Sequence, residues 1–375
     1  MKVLFVSNDL SIFDPASETH RRMQQYADAI GELHILSRAP RGGKRFQEGA
    51  LTLHPLIGSR LNMARQVREI IDVEGIELVS AQDPFEHGYA AMRAVAGTSA
   101  KLHIQVHTDF LSPWFVKGGG FRSPRIRVPF MNHVRRYLAD RVLPRASGIR
   151  VVSERVRASL IARYGKRIPD PSVLPIAVSR VVPQAVPLPP HEFPFALITV
   201  SRLEPEKRIE DILFALARIH FDYPSVGLFI VGTGGELSHL QRLTKKLGLS
   251  DRVVFIAKWR SDAWGLMQSA QAYIQASAYE GYGRTLVEAA LARLPIITTD
   301  VGIVGEVFKG YKEVLSAPIA DPAALAVHIR GLVDDHQARS LLALEAEKTA
   351  REHVERYQDL PGRIAADLSE TLRRA

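Results

Sequence analysis

Short apolar runs alternate with amphipathic stretches along the first half of the chain. The runs lie at 2–7, 32–36, 76–81, 101–107 and 148–153. Runs this short predict buried strands rather than helices, which usually need about ten residues or more. The stretches between them carry the apolar spacing of helices, which we predict at 18–30, 61–74, 85–96, 125–138 and 154–164. Strands that alternate with helices are typical of βαβ units, so we expect a parallel sheet.

A proline-rich segment interrupts this alternation in the middle of the chain. Prolines occupy positions 175, 183, 187, 189, 190 and 194. Because proline lacks the N–H that a helix or a sheet needs, no regular element is expected there, and we interpret 183–194 as a linker between domains. Beyond it we predict strands at 195–200, 226–231, 252–256, 271–276 and 294–299, and helices at 209–220, 236–247 and 286–293.

The repeated alternation predicts an α/β chain of two domains. We expect Rossmann-like, doubly wound parallel-sheet domains at 1–182 and 195–357, which face each other across a cleft. Ligands of such sheets bind beyond the carboxyl ends of the strands. From position 321 onward the pattern is helical, and the Pro361-Gly362 pair sets off a final amphipathic piece at 363–372.

Composition narrows the class of protein. At 375 residues, with 46% hydrophobic and 24% charged residues, the chain is long and apolar enough for two folded domains. It has no cysteine, which excludes disulfides, zinc fingers and thiol catalysis. The apolar run at the N-terminus is too short for a signal peptide, and no run of about 18 apolar residues follows. We therefore expect a cytoplasmic protein.

Positive charge is concentrated in one segment. The net charge is +9, yet 117–167 holds fourteen Lys and Arg against two acids, Asp140 and Glu154, so the rest of the chain is close to neutral. Such a segment suits nucleic acid, an anionic membrane surface or a solvated face. Sparse aromatic residues and the lack of a nucleic-acid motif make nucleic acid the weakest interpretation. Peripheral contact with the inner face of a membrane and a merely solvated face both stay open.

Two glutamates and two glycines form a candidate ligand-binding stretch. Glu280 and Glu288 flank Gly281 and Gly283 between the predicted strand at 271–276 and the helix that follows. Glycine lets bare backbone approach a ligand, and the N–H groups of a first helical turn favour an anion. Carboxylates accept hydrogen bonds, as the diol of a sugar requires. The alternative is a pair of ordinary acids at a helix start.

Three further strand ends carry candidate chemistry. After the strand at 195–200, Arg202 and Lys207 suit a diphosphate, although a solvated helix start would also explain them. Gly232 lies in the glycine-rich turn 231–235, which is either a ligand loop or a plain strand-to-helix corner. His107 ends a strand of the first domain, where a structural hydrogen bond is the alternative to a role in the site.

These stretches resemble the signatures of the family 4 retaining glycosyltransferases, enzymes of the GT-B fold. Glu280 and Glu288 match the E-x7-E motif, and 201–207 matches G-R-L-x-x-x-K with Ser201 in place of glycine. The resemblance implies that Glu280 holds donor-sugar hydroxyls and Glu288 the ribose. It also implies that Arg202 and Lys207 hold the pyrophosphate, and that 358–375 is a helix that crosses back to the first domain.

The resemblance carries over to further positions. It implies a catalytic group and a donor-binding group of residues. The catalytic group is His107, Arg202, Lys207 and Glu280. The donor-binding group is Arg202, Lys207, Gly232, Lys258, Glu280, Gly281, Gly283, Arg284, Thr285, Leu286 and Glu288. On the acceptor side the usual glycine pair is missing, and Ser17 and Glu18 either contact the acceptor together with His107 or cap the following helix.

The resemblance thus implies transfer of a sugar, with retention, from a UDP-, GDP- or ADP-sugar to a hydroxyl of a glycan, lipid-linked or small-molecule acceptor. No metal or cofactor is expected, since the sequence has neither an Asp-x-Asp at a strand end nor a His/Asp cluster with ligand spacing. The Walker A, Ser-x-Gly and early G-x-G-x-x-G motifs are missing, which disfavours an ATPase, a hydrolase and a dehydrogenase. A nucleotide-sugar epimerase and a catalytically silent scaffold subunit remain as alternatives.

Overall fold

The computed structural model describes residues 1–39, 43–58, 62–117, 127–257 and 262–374. Its strands are β1 Lys2–Val6, β2 Glu32–Ser37, β3 Phe46–Glu48, β4 Leu51–Pro55, β5 Leu78–Ala81, β6 Lys101–Val106, β7 Gly148–Val151, β8 Ser172–Val173, β9 Phe195–Val200, β10 Val226–Val231, β11 Val253–Ile256, β12 Ala272–Ile274, β13 Ile296–Thr299 and β14 Leu315–Ala317. Its α-helices are α1 Glu18–Ile30, α2 Met63–Glu74, α3 Glu86–Val95, α4 Pro113–Lys117, α5 Arg127–Val142, α6 Glu154–Tyr164, α7 Ile209–Ala217, α8 Leu237–Lys246, α9 Ala263–Met267, α10 Arg284–Leu291, α11 Pro322–Asp334, α12 His336–Arg356 and α13 Leu360–Arg373. Single 3-10 turns lie at Leu10–Phe13, Leu143–Arg145, Gly165–Arg167 and Pro205–Lys207.

The chain forms two compact units. Unit 1 comprises 1–111, 130–175 and 359–375, and unit 2 comprises 112–129 and 176–358, each within the residues described above. The proline-rich 183–194 contains no helix or strand, as its composition predicts.

Unit 1 is built on a sheet in which β1 is central. The strand order is β3-β4-β2-β1-β5-β6-β7-β8, and every described pair is parallel apart from β3 with β4. Val3, Leu4 and Val6 of β1 have no exposed surface. A parallel strand that is covered on both faces has a continuous apolar sequence, and for this reason the hydrophobic pattern predicts β1.

The final helix, α13, belongs to unit 1. It buries Ile364 and Leu368, and Thr371 packs so close to Gly148 of β7 that a Cβ there would lie 2.1 Å from the threonine Oγ1. The helix starts three residues before the predicted 363, because Pro361 occupies its first turn, where no N–H is needed.

Unit 2 contains a second parallel sheet, in the order β11-β10-β9-β12-β13-β14. All six residues of β9 are buried, and α7 and α11 pack over the sheet through residues such as Leu213 and Ile329. Because β9 lies between β10 and β12, the loops that follow these three strands meet at one edge of the sheet.

Some elements escaped the sequence pattern. The segment Phe46–Glu48 forms an exposed antiparallel edge strand, and Leu51–Pro55 mixes Thr52 and His54 with leucines, so neither reads as an apolar run. The predicted strand 271–276 shortens to Ala272–Ile274. Within the part of the chain that the structure describes, no helix combines the length and the apolar character that crossing a bilayer requires.

Candidate active site

The loop after β9 presents Arg202 outward and buries its neighbour. Leu203 has no exposed surface, its N–H donates to Thr233 O at 2.8 Å, and its carbonyl accepts from Glu236 N at 2.9 Å. These bonds pin the loop to the one that follows β10. Arg202 keeps 66% of its side chain exposed and forms a 3.1 Å ion pair with Glu206, so most of its guanidinium donors are accessible to a ligand.

Lys207 and Glu280 meet although 73 residues separate them. The Lys207 Nζ lies 2.5 Å from Glu280 Oε1, and the two side chains are only 16% and 14% exposed. Ser277 Oγ donates to the same oxygen at 2.8 Å. Since a carboxylate has two oxygens that each accept several hydrogen bonds, Glu280 retains acceptor capacity for the hydroxyls of a ligand.

The backbone beside Lys207 is held in place by a buried ion pair. Arg208 has φ 47°, an unusual value for a residue with a side chain. Its guanidinium binds both carboxylate oxygens of Asp211, at 2.6 and 2.9 Å, and both side chains are at most 4% exposed. The ring of Trp114 lies 5.4 Å from the Arg208 guanidinium. This bidentate pair fixes the turn from which Lys207 projects.

The glycine loop leads into α10 as the sequence predicts. Gly283, at φ 93°, precedes the helix and offers no side chain to cap it, so N–H groups of the first turn, at Arg284 and Thr285, are oriented for an anion. Arg284 Nε donates to Glu288 Oε1 at 2.7 Å, and Glu288 is 12% exposed. The second carboxylate of the motif is therefore ordered by a cation one turn before it. Leu286 is buried beneath the same turn.

Close backbone contacts explain the glycines in the turn after β10. At Gly232, φ is 138° and an added Cβ would lie 1.9 Å from the carbonyl oxygen of Ser201. At Gly234 a Cβ would lie 2.3 Å from the carbonyl oxygen of Leu203. Both glycines thus allow the loops after β9 and β10 to touch, so a plain strand-to-helix corner is enough to explain them. Contact of Gly232 with a donor stays a prediction. The predicted Lys258 lies outside the described residues.

In unit 1, His107 follows β6 and is half-buried. Its Nε2 lies 3.1 Å from Gln105 Oε1, to which Arg150 Nη1 also donates at 3.0 Å. Because arginine only donates, that amide oxygen is an acceptor, and His107 Nε2 must carry the hydrogen. Burial and the Arg150 charge lower the pKa of His107 to about 3. The ring is therefore neutral at physiological pH, with the lone pair on Nδ1.

A buried chain of hydrogen bonds continues behind His107. Gln105 Nε2 donates to Ser80 Oγ at 3.0 Å, Ser80 Oγ lies 2.8 Å from His103 Nδ1, and His103 Nε2 lies 3.1 Å from Asp367 Oδ2. One set of proton positions satisfies the whole chain: Ser80 donates to His103, and His103 donates to Asp367. These residues were not predicted from the sequence. Polar residues at alternate positions of the apolar run 101–107 were a signal, because they share one face of β6.

On the predicted acceptor side, Ser17 caps a helix. Its Oγ accepts from His20 N at 3.0 Å and donates to Ser11 O at 2.6 Å. Glu18 lies in the first turn of α1, and its carboxylate is 3.9 Å from Arg22. The capping alternative describes these contacts, and an acceptor role for Ser17 and Glu18 stays a prediction.

Two protein-family models match the chain. A model described as "Glycosyltransferase Family 4" matches residues 20–188, and one described as "Glycosyl transferases group 1" matches residues 187–349. Together they cover residues 20–349, from α1 into α12. The chain belongs to the family 4 glycosyltransferases. The family prediction made from Glu280, Glu288 and 201–207 is thereby confirmed.

Curated relatives of this family 4 chain match over part of their length. Glycogen synthase of Mycobacterium tuberculosis is 33% identical over 151 residues, which are 40% of this chain and 36% of that protein. Lipopolysaccharide 1,6-galactosyltransferase of Salmonella typhimurium is 31% identical over 157 residues, which are 40% of this chain and 42% of that protein. The matched segments thus span less than half of either relative.

Solved structures share the fold over the full length. Sucrose-phosphate synthase from Thermosynechococcus elongatus superposes with a TM-score of 0.79 at 16% identity and covers 100% of both chains. HepE of Anabaena, solved with UDP-glucose, gives a TM-score of 0.75 at 20% identity over 99% of this chain and 100% of that one. The prediction of two Rossmann-like parallel-sheet domains of the GT-B class is confirmed.

Proposed function

We propose that the chain transfers a glycosyl group from a nucleoside-diphosphate sugar to an acceptor hydroxyl, with retention of the anomeric configuration. The observation that carries this proposal is the Lys207–Glu280 pair, which sets a cation and a hydrogen-bond acceptor 2.5 Å apart, in a loop that also holds the exposed Arg202. A sugar diphosphate needs both kinds of group, because its phosphates are anionic and its hydroxyls donate.

In this proposal the residues of unit 2 hold the donor from both ends. Arg202 binds the diphosphate through two N–H groups and Lys207 binds it as a point charge. Glu280 accepts from the sugar hydroxyls, and Glu288, ordered by Arg284, accepts from the ribose hydroxyls. The uncapped first turn of α10 adds backbone N–H groups to the phosphate contacts.

The reaction breaks the bond between the anomeric carbon and the β-phosphate oxygen. The acceptor oxygen forms the new bond on the same face, and its proton passes to the departing phosphate oxygen. Negative charge grows on the diphosphate as the bond breaks, and Arg202 and Lys207 stabilise that charge where it develops. In this scheme Arg202 and Lys207 neutralise the leaving group, so we propose transfer without a metal or cofactor, and activity should survive EDTA treatment.

His107 acts in this scheme as a neutral hydrogen-bond partner. Its lowered pKa, about 3, leaves Nδ1 an acceptor at neutral pH, which suits a hydroxyl of a sugar. With so low a pKa it would be a weak proton acceptor, so we do not assign it as a general base. Gln105 and Arg150 are positioning residues, since they set which nitrogen carries the hydrogen.

UDP-sugars are the donors to test first. HepE of Anabaena is solved with UDP-glucose, and the pneumococcal O-GlcNAc transferase GtfA is solved with UDP and GlcNAc. Each shares the fold at low identity, which supports a uridine nucleotide without deciding it. GDP- and ADP-sugars stay as the alternatives.

For the acceptor we propose a glycan or a lipid-linked glycan at an anionic membrane surface. The α5 helix, within the basic segment 117–167, leaves Phe130 65%, Met131 38% and Tyr137 55% exposed. Apolar side chains among cations suit the headgroup layer of a bilayer. Not all of the cations are available, because Arg150 is buried and Arg163 is paired with Asp140 at 3.1 Å.

Flotation with anionic vesicles tests the membrane contact. We expect wild-type protein to float with phosphatidylglycerol vesicles at low salt and to be released at high salt, as an electrostatic contact requires. Phe130→Ser should weaken flotation, whereas Phe221→Ser, at an 86% exposed phenylalanine of unit 2, should leave it unchanged. Equal flotation of both variants, or none by the wild type, would contradict the contact.

A turnover assay tests the activity. Release of the nucleoside diphosphate from each sugar nucleotide is measured with and without a panel of glycan acceptors, and the anomeric configuration of the product is read by NMR. The proposal expects release that depends on an acceptor and a product with the configuration of the donor. Turnover without an acceptor to an altered sugar would indicate an epimerase, and binding without any turnover would indicate a scaffold subunit.

A further inference from the structure

A cluster in unit 1, distant in sequence from every motif above, has the composition of a metal site. His34 of β2, His54 of β4 and Glu74 at the end of α2 each offer one ligand atom, and these atoms lie within 4.8 Å of one another. The three positions are about twenty residues apart in the sequence, so the spacing of residues gives no hint of the cluster. The fold alone brings them together.

The two histidines already converge on one point. The register of β2 with β4 pairs His34 with Thr52 and Leu36 with His54, so both rings lie on one face of the sheet. His34 Nδ1 and His54 Nε2 are 3.0 Å apart, and the rings are 1% and 9% exposed. Two zinc–nitrogen bonds of ordinary length at a tetrahedral angle place their nitrogens about 3.3 Å apart. A shift of a few tenths of an ångström would therefore admit the ion.

Glu32 supplies the outer partner that a metal-binding histidine usually has. Its Oε1 accepts from His34 Nε2 at 3.0 Å and is in turn 3.3 Å from Lys2 Nζ. This bond places the hydrogen of His34 on Nε2 and leaves the Nδ1 lone pair directed at His54. A carboxylate behind a histidine orients the ring and raises its strength as a ligand.

The third ligand can move into place. Glu74 is 17% exposed, and its Oε1 pairs at 3.0 Å with Arg45, whose side chain is 53% exposed and able to turn outward. A metal binds the imidazole nitrogen that carries no hydrogen, so in the metal-bound state the hydrogen of His54 must lie on Nδ1.

We propose that His34, His54 and Glu74 form a site for a divalent transition ion of the zinc class, with Glu32 as its outer-sphere carboxylate. Two imidazoles and one carboxylate favour zinc, cobalt or nickel over magnesium or calcium, which prefer all-oxygen sites. Three protein ligands leave a position for water. The ion would tie β2, β4 and α2 together within unit 1, and the inference is independent of the proposed transfer reaction.

Without a metal, the same geometry is a hydrogen bond from His54 Nε2 to His34 Nδ1, and Arg45 opposes the approach of a cation. Titration of the EDTA-treated, desalted full chain with zinc chloride, followed by calorimetry, distinguishes these two states. We expect one site in the wild type, a raised melting temperature with zinc, and a tetrahedral-type visible spectrum when cobalt chloride is used instead. The absence of saturable zinc binding to the wild-type chain would overturn the proposal.

Variants separate this site from other histidines of the chain. His54→Gln and Glu74→Gln should each weaken zinc binding by tenfold or more, and Glu32→Gln by about 10–100-fold. His336→Gln, at an exposed histidine of unit 2, should bind zinc like the wild type. Circular dichroism of each variant without zinc establishes that it is folded. Unchanged zinc affinity in folded His54→Gln and Glu74→Gln would overturn the assignment.

Discussion

Acidification should destabilise unit 1 through His107, by an amount that its surroundings set. The pKa of this histidine is about 3 in the folded chain, against 6.5 for an unperturbed side chain. Between these values the unfolded chain binds the proton and the folded chain does not, so stability falls as the pH falls. Each pKa unit corresponds to about 1.4 kcal/mol. The full loss is therefore about 5 kcal/mol below pH 3, and about 2 kcal/mol of it is reached between pH 7 and pH 5.

The comparison of wild type with His107→Gln isolates this contribution. Unfolding by urea, followed by circular dichroism at pH 7 and pH 5, gives the stability lost by each protein. His54 and His353 also have pKa values lowered to about 4, but both titrate in both proteins and cancel in the difference. The wild type should lose about 2 kcal/mol more than the variant. Equal losses in the two proteins would refute the neutral state of His107 on which its role depends.

Two further predictions concern unit 2. Glu280→Gln should lower the turnover number for transfer by about a hundredfold or more, because an amide cannot replace both acceptor oxygens. Its affinity for the nucleoside diphosphate should stay within about threefold of the wild-type value. Steady-state kinetics measures the first effect and calorimetry the second, and a parallel loss of nucleotide affinity would contradict the assignment of Glu280 to the sugar. Gly232→Ala should destabilise the fold by about 3 kcal/mol or more, since its Cβ would lie 1.9 Å from a carbonyl oxygen. Gly331→Ala, in α11 with open space around the new Cβ, should be neutral or stabilising by up to about 1 kcal/mol, and similar urea midpoints for the two variants would refute the argument.

The sheet and most helices could be predicted because parallel strands are buried on both faces. The runs at β1 and β9 are recognised as buried strands because nearly every position in them is apolar. The edge strand β3 could not be found this way, because all three of its residues are exposed. In β4, His54 forms a pair with His34 of β2, which only the register of the two strands reveals.

The sequence motifs predict residues of the candidate site but not the contacts between them. The pairing of Arg284 with Glu288 follows from their four-residue spacing on a helix. The pairing of Lys207 with Glu280 depends on β9 and β12 being neighbours, which the order of strands along the chain does not state. For Gly232 the sequence leaves a ligand loop and a plain corner open, and the described contacts account for the glycine by the close approach of two loops.

Nucleotide binding to the wild type and to Lys207→Met tests the central claim most directly. Calorimetric titration with UDP, GDP and ADP should reveal one site that prefers one base. A charge-assisted hydrogen bond contributes about 1.5–3 kcal/mol, so Lys207→Met should bind that nucleotide about tenfold to a hundredfold more weakly. Lys245→Met, at an exposed lysine of α8, should bind it like the wild type. Binding of none of the three nucleotides, or equal affinity in wild type and Lys207→Met, would contradict the proposed donor site.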